Sequence, residues 1–195
     1  MSTDKPNKHR EPTHLAAGKA FHDLVQRFYL YEAEDIRGQG AEYRVDVKRG
    51  SRARRGRADV LQWITLDGFL SCVILEVKNT DWDRLAKRGT VRRNLNSHRR
   101  QVWRYLYGTT EFRHDEERKD VDLEDIDRVA GIVYPRVPGT EGLKEAIESY
   151  FGEWGITVVW FDEPPPEGTP AWEAWRAWKE GRLPSLKELR DRQKR

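Results

Sequence analysis

At Ala41 the hydrophobic pattern of this chain changes period, and that change limits what it can fold into. Upstream, Leu15, Gly18, His22, Val25 and Tyr29 recur at helical spacing, with Phe21, Leu24, Phe28 and Tyr31 as a second stripe beside them. The pattern predicts a first helix from Thr13 to Glu34 that buries much of its circumference. Downstream the alternation is that of strands: AEYRVDVK from Ala41, GRADVLQWIT from Gly56 after a glycine-bounded basic stretch, and FLSCVILEVK from Phe69 after a turn at Asp67-Gly68. These read as three strands, the last two a hairpin.

Beyond Lys78 helices and strands alternate. Asp81 to Gly89 reads as irregular or a short helix, and Val91 to Tyr107 as a helix with Val91, Leu95, Val102 and Leu106 as its stripe. Glu111 to Asp127 holds nine acids and three bases and reads as a solvated loop. Arg128 to Tyr134 is a strand ended by Pro135, and Leu143, Ala146, Ile147, Tyr150, Phe151 and Trp154 trace a helix with Thr140 as N-cap. Gly155 to Phe161 is the next strand. The expected fold class is α/β, one domain over residues 13–162 with a mixed central β-sheet flanked by helices. Residues 1–12 are expected to be a disordered arm. Residues 163–195 are expected to form a Pro-rich linker, a Trp-rich helix and a charged tail packing on the same domain.

With 195 residues the chain can bury roughly 70% of its unfolded surface, and 21 aromatics, 8 of them Trp, argue against disorder despite a charged fraction of 35%. A lone Cys72 allows no internal disulfide, and no Cys or His spacing suggests zinc. The N-terminus lacks the apolar stretch of a signal peptide, and no run of about 18 apolar residues occurs. A reducing, cytoplasmic setting without membrane contact is therefore expected.

Alternation along Phe69 to Lys78 puts Cys72, Ile74, Glu76 and Lys78 on one face and Val73, Leu75 and Val77 on the other. Two charges end an almost wholly apolar strand, where an unpaired buried charge costs several kcal/mol. Taken alone, the triplet reads as a solvated strand end. Asp59 changes the balance, because it opens the strand that should pair with Phe69 to Lys78. Two carboxylates with a backbone carbonyl and waters make the all-oxygen environment that Mg²⁺ or Mn²⁺ prefers, and a nearby lysine can position a water and offset charge on a phosphorane. That is the chemistry of phosphodiester hydrolysis.

GRAD at Gly56 to Asp59, ILEVK at Ile74 to Lys78 and QVWRY at Gln101 to Tyr105 together resemble the PD-(D/E)xK nuclease superfamily, the restriction-endonuclease-like fold, in its RecB-like form. Its signatures are GRxD, an apolar strand ending in (D/E)xK, and QxxxY on the following helix. The order of elements is similar to that family's αβββαβ core, here with a C-terminal αβα extension, and the match runs from about Thr13 to Tyr134. The resemblance implies a Mg²⁺- or Mn²⁺-dependent nuclease, acting on DNA more readily than RNA. In that role Asp59 and Glu76 would be metal ligands, Val77 would lend its carbonyl and Lys78 would position the attacking water. Gln101 and Tyr105, one turn apart, would orient the lysine or touch the substrate backbone, or else be an exposed Gln and a half-buried Tyr. Gly18 to His22 is similar to the motif that adds a histidine ligand in that branch, and His22 takes either that role or that of a packed core residue. The family's Pro-Asp dipeptide is replaced by Ala58-Asp59.

The formal charge of +3 is a sum over unequal segments. Lys48 to Arg57 holds six bases, among them Arg52, Arg54, Arg55 and Arg57. Arg84 to Arg104 holds eight, among them Arg92, Arg93, Arg99, Arg100 and Arg104, and neither stretch has an acid. Both border the proposed site, as contacts to a nucleic-acid backbone would require. Trp82 and Trp103 could stack on bases if exposed, but near a sheet they read as core residues and receive no substrate role. Trp172, Trp175 and Trp178 lie on one stripe that packs the last helix or, if exposed, serves a homodimer or protein partner. Three alternatives stand beside a DNA nuclease: an inactive nuclease-like fold that binds nucleic acid or scaffolds a complex, a nuclease of the kind that cuts tRNA, and an α/β interaction protein whose motif matches are chance and whose Trp-rich C-terminal helix is its working surface.

Overall fold

The computed structural model of the chain describes residues 13–32, 40–49, 52–66, 69–113, 121–122 and 127–193. The order of elements is α1 (Thr13–Glu32), β1 (Gly40–Arg49), β2 (Arg52–Leu66), β3 (Phe69–Val77), α2 (Trp82–Lys87), α3 (Val91–Gly108), β4 (Thr109–Arg113), β5 (Val121–Asp122), β6 (Asp127–Tyr134), α4 (Leu143–Gly152), β7 (Ile156–Trp160), α5 (Pro170–Lys179) and α6 (Leu186–Gln193). The expected N-terminal arm, the Asp67-Gly68 turn and Glu34 lie outside the described residues.

One mixed sheet organises the chain, in the order β5-β4-β1-β2-β3-β6-β7. β1, β2 and β3 form an antiparallel meander. Arg49 pairs with Arg52 and Leu66 with Phe69, leaving two residues between the strands of each hairpin. β3 then pairs in parallel with β6, and β6 with β7, with helices crossing between them as parallel strands require. β3 thus lies between two partners and has helices over both faces, so Cys72, Ile74 and Val77 are fully buried. Burial on both faces is why its sequence is almost wholly apolar. Gly131 permits the close approach of β6 to β3, since a Cβ there would lie 2.7 Å from Leu75 Cδ2.

Each face of the sheet carries its own core. On one, Leu95, Val102 and Leu106 of α3 and Ile147 and Phe151 of α4 pack with Ala130, Ile132, Tyr134, Ile156 and Trp160. On the other, Phe21, Val25 and Phe28 of α1 and Ala174 of α5 pack with Val60, Leu75, Val77, Val133 and Phe161. Neighbours such as Ile132 and Val133 go to opposite cores, as the two-residue strand period dictates. The arrangement is the expected α/β class. No described helix is long and apolar enough to cross a membrane.

Four local expectations are corrected. The basic stretch before Gly56 belongs to β2, where Arg52, Arg54, Arg55 and Arg57 pair with Arg49, Val47, Asp46 and Arg44 of β1. Within Glu111 to Asp127, the described residues include the end of β4 and all of β5, which pair with each other at the sheet edge, where charged residues are tolerated. Thr140 does not cap α4: the N-cap is Gly142 at φ 70°, and the Thr140 hydroxyl donates instead to Asp83 Oδ1 at 2.6 Å. The charged tail is mostly the helix α6, which begins with a capping box in which Ser185 N donates to Glu188 Oε2 at 2.8 Å and Glu188 N to Ser185 Oγ at 3.3 Å.

Candidate active site

The candidate residues gather where the β2–β3 ladder stops. Its last pair is Val60 with Leu75, both in the α1-side core, so the next positions, Asp59 and Glu76, fall together on the opposite face. Asp59 turns its carboxylate into the gap, where Oδ2 accepts the Val77 N–H at 2.7 Å. The side chain takes an amide that the neighbouring strand would otherwise bond, and the two strands part around it. α1 braces this corner: Gln26 Nε2 donates to the Asp59 carbonyl at 3.2 Å, and His22 Nδ1 lies 3.5 Å from Asp59 Oδ1.

Glu76 is 2% exposed. Its Oε1 accepts from Lys78 Nζ at 2.5 Å and from Gln101 Nε2, while Gln101 Nε2 also lies 3.5 Å from the Tyr105 hydroxyl. Oε2 is buried with no hydrogen-bond partner among the described residues. Burial, reinforced by the nearby Asp59 charge, pushes the Glu76 carboxyl up to about 7 against the opposing pull of Lys78. Burial also pushes the Tyr105 hydroxyl up to about 12, with the Glu76 charge adding to it. The i, i+4 spacing of Gln101 and Tyr105 puts both on the inner side of α3.

The site therefore unites Asp59, Glu76, Lys78, Gln101 and Tyr105, with Val77 bound through its amide. His22 neighbours Asp59 as a hydrogen-bonding or ion-pairing partner. Among the described residues no group of three or more His, Cys, Asp or Glu side chains is placed to hold a metal ion. The donor set that fits a divalent cation is accordingly smaller, two carboxylates and the Val77 carbonyl, with waters to complete it. Two features make that set suitable. A carboxylate oxygen without a hydrogen-bond partner among the described residues is buried beside a second acid, and burial, with repulsion from Asp59 adding to it, holds Glu76 well above the usual carboxylate range.

The basic residues of α3 divide by position. Arg92, Arg93, Arg100 and Arg104 are exposed, whereas the Arg99 guanidinium lies 3.8 Å over the Trp154 ring. The two tryptophans read as core separate: Trp82 is buried against Tyr134 with ring centroids 5.1 Å apart, and Trp103 is exposed. Trp172, Trp175 and Trp178 are half-buried, Trp175 and Trp178 packing against the α1-side core and Trp172 stacking on Trp175 at 5.3 Å.

Two residues escaped the sequence reading. Gln26 stands one turn after His22 on α1, so i, i+4 spacing from the candidate histidine was the available signal. His98 stands one turn before Gln101 on the buried side of α3, its Nδ1 3.0 Å from the Tyr134 hydroxyl. Burial, with the Lys78 charge adding to it, pulls His98 down to about 4. It extends the Leu95 and Val102 stripe, and its polarity disguised it there. The chain matches no protein-family model, no curated protein and no solved structure.

Proposed function

We propose that this protein is a metal-dependent nuclease that hydrolyses phosphodiester bonds of nucleic acid, DNA in preference to RNA. The observation that carries the reading is the environment of Glu76: a buried carboxylate beside Asp59 at a split in the sheet, with one oxygen held by Lys78 and Gln101 and the other without a hydrogen-bond partner among the described residues. Asp59, Glu76 and the Val77 carbonyl would hold Mg²⁺ or Mn²⁺. When bound, such an ion supplies Lewis-acid chemistry to a phosphodiester and offsets the two carboxylate charges.

The remaining chemistry belongs to the chain. Lys78 orients the attacking water and compensates charge on the phosphorane. Gln101, fixed between Glu76 and Tyr105, keeps the Glu76 carboxylate oriented, and His22 and Gln26 steady Asp59. Exposed arginines of α3 and the basic opening of β2 supply phosphate contacts on either side. The order α1, β1, β2, β3, α3, β6 supports reading these elements as a restriction-endonuclease-like αβββαβ core in which β4 and β5 are an insertion. A reducing, cytoplasmic setting belongs to the same proposal.

The test is cleavage of supercoiled, linear and single-stranded DNA and of tRNA, in EDTA, Mg²⁺ or Mn²⁺, by the wild type and by Glu76→Ala and Lys78→Ala. DNA cleavage that requires the cation and falls by about 100-fold or more in each variant is the expected result. Cleavage that persists in EDTA or in both variants removes the site from the reaction. Cleavage confined to tRNA reassigns the substrate, and binding without cleavage of any polymer makes the chain a nucleic-acid-binding protein.

A further inference from the structure

Trp103 and Tyr107 stand one turn apart on α3 and are 44% and 67% exposed, with ring centroids 5.0 Å apart. Neither belongs to the two core clusters formed among the described residues. Most of the other large aromatics described here are buried or half-buried, so two adjacent rings left in water on one helix face mark a surface that something else covers. Its surroundings restrict what that is. α3 contains no Asp or Glu, and Arg93, Arg100 and Arg104 are exposed along the same side. A second copy of this face would bring like charges together, whereas a polyanion with aromatic faces of its own matches both features.

The surface also adjoins the site. Gln101 and Tyr105 face inward to Glu76 from the helix that turns Trp103 and Tyr107 outward, and the Arg104 charge is felt at the Glu76 carboxyl. A helix is roughly 10 Å across, so a strand crossing α3 from the site meets Arg104 and Arg100 and then the two rings.

We propose that Trp103 and Tyr107 form a stacking platform for the bases of an unpaired DNA strand, with Arg100 and Arg104 pairing its phosphates, so that single-stranded or frayed DNA is the form of substrate this site accepts. Paired bases within a duplex have no free faces to offer, which is why the platform selects unpaired nucleotides. The proposal deepens the nuclease reading and rests on it for the identity of the polymer.

The test is binding in EDTA, where no cleavage competes, of a fluorescent single-stranded oligodeoxynucleotide, its abasic counterpart, its blunt duplex and the oligoribonucleotide of the same sequence. The proteins are the wild type, Trp103→Ala/Tyr107→Ala and Trp103→Phe/Tyr107→Phe. Removing both rings should weaken single-strand binding by about 100-fold, about tenfold for each, with the phenylalanine pair retaining most of it and with duplex and abasic binding unchanged. Equal losses on all ligands, no loss on the single strand, or a phenylalanine pair as weak as the alanine pair would overturn the platform. Tighter binding of the oligoribonucleotide would overturn the assignment to DNA, and dissociation of a wild-type dimer by the alanine pair would make the face a subunit interface. Ring-dependent binding without cleavage in Mn²⁺ leaves the platform and removes the nuclease. Cleavage indifferent to the rings does the reverse.

Discussion

Glu76 is the residue around which the site is arranged, and its burial has a measurable consequence. Its folded value of about 7 lies above the ordinary 4.5, so between those values the unfolded chain ionises while the folded protein keeps its proton. In the absence of metal, stability contributed at this position is full below about pH 4.5 and declines as pH rises toward 7, by roughly 3 kcal/mol. His98 acts with the opposite sign. Its value of about 4 lies below the ordinary 6.5, so its contribution is full above 6.5 and is lost as pH falls through that window. The two slopes oppose each other, and only a comparison isolates one of them. Urea unfolding in EDTA across pH 4 to 8 should show Glu76→Gln gaining stability relative to wild type as pH rises; parallel curves would mean that Glu76 titrates normally in the fold.

Elements differ in how plainly the sequence announces them, for reasons that can be named. β3 and the Phe21 to Tyr31 part of α1 were legible because each buries so much of its surface that periodicity has few exceptions, whereas Leu15, expected on the α1 stripe, is exposed. The alignment of Asp59 with Glu76 followed from the two-residue hairpin connection, which sets the β2–β3 register. β4 and β5 were not legible, since a sheet edge accepts charged residues and so gives an acidic strand the composition of a loop. The split of the β2–β3 ladder by the Asp59 side chain depends on a competition between side chain and backbone for the Val77 amide, which periodicity does not register. α6 was missed although its signature was present: Ser185 and Glu188 have the spacing of a capping box, yet the charge run after them reads as solvated tail. The helix is held further by Arg27 of α1, which donates to the carbonyls of Leu183 and Pro184 just before it, and by buried Leu189. Ser185→Ala should therefore cost about 1 kcal/mol in urea unfolding without changing nucleic-acid binding. A cost near zero would show that α6 does not depend on its cap.

For the whole molecule, a net charge of +3 conceals a division of labour. Two layers of helices bury separate cores on the two faces of one sheet, and the candidate site lies where α1 and α3 approach the sheet at the split between β2 and β3. Four exposed arginines, Arg92, Arg93, Arg100 and Arg104, belong to α3, the same helix that holds Glu76 through Gln101, so in the proposed reaction the element that would grip phosphate also orients the carboxylate that would hold the cation. Binding and catalysis are then separable at Glu76. In the proposed reaction the carboxylate would hold the cation and would touch no phosphate, so an isosteric amide should leave the binding surface intact. The most direct measurement compares wild type with Glu76→Gln on one single-stranded oligodeoxynucleotide, reading affinity in EDTA and cleavage rate in Mn²⁺. Affinity within about twofold of wild type together with a rate lower by about 100-fold or more is the predicted result. Equal cleavage by the two proteins, or no Mn²⁺-dependent cleavage by the wild type, would contradict it.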